Sequence, residues 1–149
     1  MNDALEAVHT VEDYHDGPRS GVADFAGTPH YYRSIYLDVR EWDADEDRFE
    51  LSPVTSEVVG AACELAAIFG RWDLARRSTP GFIWSDAEFG AVPAERTRRR
   101  ELETFLESSY AAAAKVCRVL VHGEFVRCDR SRARWKVRWR RAGAVATAG

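Results

Sequence analysis

The side chains most suited to catalysis are His15, Asp16, Arg19 and His30, all close to the start of the chain. A histidine beside a carboxylate and an arginine can run acid/base chemistry on an anionic substrate, provided the turn at Ala26 to Pro29 folds His30 back onto the loop holding the others. Each residue also has a purely structural use: Asp16 in an Asp-Gly turn, Arg19 paired with an acid, His30 at the start of a strand. Nucleophile elbows of the G-x-S-x-G type, glycine-rich phosphate loops and dinucleotide fingerprints are absent. A small His/Asp/Arg enzyme is therefore the second alternative.

Metal and cofactor chemistry find no pattern. The histidines (His9, His15, His30, His122) show no H-x-x-x-H spacing, and Cys63, Cys117 and Cys128 no C-x-x-C. The stretch beginning at Asp43 opens like a calcium loop, but it has Arg48 where the loop needs glycine and Val54 where it needs a bidentate glutamate. The expectation is no metal and no cofactor.

Binding chemistry is better represented. From Arg118 to Arg141 nine basic residues face only Glu124 and Asp129, a local charge of +7. Arg132, Arg134, Lys136, Arg138 and Arg140 alternate along one side of an extended run, a possible phosphate track. Period two puts Trp135 and Trp139 on the opposite side, as core anchors rather than stacking platforms. Nucleic-acid binding is accordingly the first alternative, beside a solvated edge strand or an acidic protein partner.

A second binding surface combines Trp42 with Asp43, Asp45 and Asp47, and a third is the aromatic connection containing Phe82 and Trp84. Aromatic residues anchor interaction hot spots. The favoured reading is a small, non-catalytic, cytosolic protein that engages a protein partner through this acidic, aromatic surface. A homo-oligomer is a further option, because the two halves of the chain are oppositely charged. Residues 1–75 hold five basic and sixteen acidic residues, net −11, and the remainder holds sixteen and eight, net +8.

The 149 residues carry 46% hydrophobic and 30% charged side chains, which excludes a disordered or collagen-like chain and fits one folded domain over residues 1–141 with a flexible tail over 142–149. No apolar run approaches the roughly 20 residues of a membrane span. Asp3 and Glu6 stand where a signal peptide would be basic, so the expected location is the cytoplasm. The cysteines are expected to be reduced, small buried hydrophobes.

These candidates need elements to hold them. Tyr14 to Gly21 reads as a structured loop, followed by a hairpin of Val22–Phe25 with His30–Val39 and a strand at Arg48–Val54. In His30–Val39 the set Tyr31, Arg33, Ile35, Leu37 and Val39 is taken as the core side. Val58, Ala61, Ala62, Leu65, Ile68, Phe69 and Trp72 trace an amphipathic helix capped by Thr55 or Ser56; Leu102, Phe105, Leu106, Tyr110, Ala113 and Val116 trace a second, starting near Ala94. A closing hairpin has Ala133, Trp135, Val137 and Trp139 on its packed face. The expected fold is α+β: an antiparallel sheet of mixed order, built from an N-terminal meander and a C-terminal hairpin, with both helices on one face.

Overall fold

The computed structural model describes residues 4–14, 16–35, 48–78, 93–129 and 134–141. They form seven strands and two helices: β1 (Glu6–Ala7), β2 (Asp13–Tyr14), β3 (Pro18–Phe25), β4 (Thr28–Ser34), β5 (Arg48–Pro53), α1 (Ser56–Ser78), α2 (Pro93–Val116), β6 (Val119–Asp129) and β7 (Arg134–Arg141). The strands make one antiparallel sheet in the order β1-β7-β6-β5-β4-β3-β2. The fold is α+β, with both helices inserted between β5 and β6.

The first and last strands in that order belong to the same stretch of chain. Glu6 and Ala7 pair with β7, whereas Val8 bridges to Ala23 and Asp13 and Tyr14 pair with β3. The sheet therefore curls until one N-terminal segment serves both edges. Among the bonds that cross the curl, Trp139 Nε1 donates to the Asp24 carbonyl at 2.8 Å, and the Tyr32 hydroxyl donates to the Thr10 carbonyl at 2.9 Å. Gly21 permits the close approach, because a Cβ there would collide with the Thr10 carbonyl. Pro18 to Gly21, expected in a loop, are strand residues for the same reason: the N-terminal segment lies alongside and accepts their pairing, as in the Glu12 N–H bond to the Ser20 carbonyl.

The inside of the curl is packed with rings. Tyr32, Phe49, Phe125 and Trp139 lie with centroids 5.2 to 6.1 Å apart, mostly tilted or edge-to-face, the geometry aromatic quadrupoles favour. Leu51, Val121 and Val137 complete this core. Tyr32 and Ser34 are fully buried and Tyr31 and Arg33 only half-buried, so the expected core side of β4 is reversed. Alternation defines two faces, but here both are covered: one by the curl, the other by the helices.

On the outer face Val22 meets Val58, Ala62 and Leu106. Tyr31 stacks on Tyr110 of α2, centroids 3.8 Å apart and planes 11° from parallel. α1 begins where Thr55 Oγ1 accepts the Val58 N–H at 3.3 Å, satisfying one of the unpaired donors of the first turn. α2 begins at Pro93, whose missing N–H costs nothing at the first helical position. The buried stripes are Val58, Ala62, Ile68 and Trp72 on α1 and Leu102 and Leu106 on α2. Phe69 and Val116, expected on those stripes, are exposed; Val116 is the last residue of its helix. No described helix is long and apolar enough to cross a membrane.

Candidate functional site

Along β7 the alternation runs as its sequence requires for the two inner residues, Val137 and Trp139, which are buried. Trp135 shares their face but is only half-buried. The cause is the path of the N-terminal segment. It pairs with β7 at Lys136 and Val137 and then swings to β3 at Val8, so among the described residues no strand lies on that side of Arg134 and Trp135. A face that is interior at Val137 becomes open one pleat earlier. Trp135 is thus half-buried and lines the opening, which corrects the expectation of a core position.

The two diverging strands leave a cleft of about 820 Å³. One wall is Val11 and Tyr14; the other is Arg127, Trp135 and Lys136, with Arg134 beside them. The Arg127 guanidinium lies 4.7 Å from the centre of the Trp135 ring, a cation–π contact that holds the cation in place. Tyr14, 58% exposed, meets the same indole at 6.2 Å with the rings tilted by 50°. Arg127, Arg134 and Lys136 are exposed, and none has a carboxylate partner among the described residues. Chemically this is an aromatic floor of two tilted rings with three cations around it, able to take an anion that also carries an apolar part.

The expected row of cations is broken differently from the sequence pattern. Arg138 donates to Glu124 at 3.2 Å, and Arg140 stands opposite His122, away from the cleft. Arg134 and Lys136 stay with the site; Arg127 and Tyr14 join it. Arg127 stands opposite Trp135 because the register shifts between Arg127 and Asp129; counting back from the Asp129–Arg134 pair would have put Cys128 there. Nothing in the local sequence marks Tyr14, which is brought in by the N-terminal segment.

Behind Trp135 a second hollow of about 330 Å³ is lined by Asp16, Arg19, Phe49 and Phe125. Arg19 is 4% exposed and donates to the Asp16 main-chain carbonyl at 3.3 Å. His30 is not brought here. It pairs across from Ala23, four residues from Arg19 along β3 and so roughly 13 Å away at the strand rise. Its Nδ1 donates to the Thr28 carbonyl at 2.7 Å and its ring packs edge-on to Phe25. The turn at Ala26 and Gly27 lays β4 flat against β3 instead of folding it over. His15, Arg132, Trp42, Asp43, Asp45, Asp47, Phe82 and Trp84 lie outside the described residues.

Glu12 sits next to the cleft wall. The residue is exposed, but its carboxylate is enclosed against the Tyr31–Tyr110 stack, and the Tyr110 hydroxyl donates to both its oxygens at 3.1 and 3.0 Å. Burial raises its pKa from 4.5 to about 7; the Tyr110 hydrogen bond opposes that rise and the neighbouring Asp13 adds to it. All three cysteines are exposed, contrary to the buried positions expected, and no disulfide joins them. The described residues contain no group of three or more metal-ligating side chains.

Comparison of the chain with protein-family models, with curated proteins and with solved structures returned no match.

Proposed function

We propose that this chain is a non-catalytic binding protein that takes a negatively charged partner in the cleft between its N-terminal segment and the start of β7. The observation that carries this reading is the set of three cations around Trp135 that have no carboxylate partner among the described residues. Exposed cations cost little in water, but a guanidinium already held on an indole loses less freedom when it forks an anion. Binding rather than catalysis is supported by the placement of His30, away from Asp16 and Arg19 and with its Nδ1 proton committed to the Thr28 carbonyl. A cytosolic, reducing location belongs to the same proposal and is supported by the three exposed thiols.

The test is retention on immobilised heparin. Wild type is expected to bind and to elute with salt, because the contact is electrostatic. Arg127→Ala, Arg134→Ala and Lys136→Ala combined should pass through, while Arg138→Ala, whose cation is tied to Glu124, should behave as wild type. Equal elution of wild type and the triple variant would overturn the reading.

A further inference from the structure

We infer that the occupant of the cleft is an acidic, extended segment of another polypeptide carrying an apolar side chain between its carboxylates. This rests on the anion-binding reading above and narrows it.

The argument is the difference between the two walls. Arg127, Arg134 and Lys136 stand on the side of β6 and β7. The opposite wall is apolar at Val8 and Val11 and aromatic at Tyr14. A single nucleic-acid strand carries charge at every nucleotide and would lay part of that charge against the apolar side of Val8 and Val11. An extended peptide has side chains that alternate between two directions, so acidic residues can face the cations while an apolar one lies on Trp135, Tyr14 and Val11. The main chain of β7 offers a second fit. At Arg134 and Trp135 no described strand occupies its cleft side, which leaves hydrogen-bonding groups for an incoming strand to pair. The charge of the region agrees with such a guest: the segment from Arg118 to Arg141 is net +7 within a chain that is net −3.

The experiment is fluorescence anisotropy with the full chain and three labelled probes: a glutamate-rich peptide containing one phenylalanine, the same peptide with serine in place of phenylalanine, and oligothymidylate. The phenylalanine peptide should bind best. Its affinity should fall about tenfold or more in the triple cation variant and in Trp135→Ala, as truncation of a buried anchor does. Tyr14→Ser, at an exposed position, reads the floor without risk to folding and should weaken the phenylalanine peptide more than the serine peptide. Tighter, cleft-dependent binding of oligothymidylate would overturn the inference in favour of nucleic acid. Wild-type self-association by light scattering, lost in the triple variant, would overturn it in favour of a second copy. If heparin retention depends on the cations but neither peptide binds, only the peptide inference has failed; if nothing distinguishes the triple variant from wild type, the anion-binding reading has failed with it.

Discussion

In the helix pair, Arg71 pairs with Glu95 at 2.7 Å and Arg98 with Glu64 at 2.6 Å, each bond running between α1 and α2. At the start of β7, Arg127, Arg134 and Lys136 meet no carboxylate among the described residues. The residue types are nearly the same and the circumstances opposite. Arg71 and Arg98 each answer an acid on the facing helix, so these ion pairs accompany a contact that apolar burial already makes. Beside the cleft the cations surround an aromatic floor and meet no carboxylate among the described residues, which is the feature the proposed anion binding rests on. A basic residue count alone merges these two groups; only partner geometry separates them.

The comparison can be broken most severely by opening the curl that both regions depend on. Trp139→Ala removes a buried ring packed on Tyr32, Phe49 and Phe125 and its bond to the Asp24 carbonyl. A loss of about 3–5 kcal/mol is expected, measured by urea denaturation. Next in size, the triple cleft variant should lose anion binding about tenfold or more while its thermal midpoint stays at the wild-type value. A clear fall in that midpoint would show that the cleft cations serve the fold after all.

Glu12 sharpens the contrast from the acidic side. Its pKa, raised to about 7, means that between the ordinary 4.5 and about 7 the folded state holds a proton the unfolded chain has released. Stability from this residue is therefore greatest at acidic pH and is lost as pH rises through about 7. Glu12→Gln should flatten that decline and raise the thermal midpoint relative to wild type on the alkaline side; an unchanged pH profile would argue against the enclosed carboxylate. The smallest effect is expected from Arg98→Ala, an exposed ion pair whose loss should lower the thermal midpoint slightly and leave heparin retention untouched.

Local periodicity carried most of the element inventory. Period two over residues 134–140 placed Val137 and Trp139 inside, and steps of three and four placed Val58, Ala62, Ile68 and Trp72 on one helix face, because neighbouring side chains on an element are fixed in direction by its own geometry. Thr55 marked a helix start for an equally local reason, and the second helix begins at Pro93, one residue before the Ala94 expected. The α+β class and the antiparallel pairing followed from these. What the chain alone left open was everything that depends on meeting a distant segment. Tyr32 rather than Tyr31 faces the inner core because the sheet curls and is covered on both sides. The half-burial of Trp135, the arrival of Tyr14 and the cleft between them follow from where residues 6–14 leave β7 for β3, a register set by tertiary pairing between segments over a hundred residues apart.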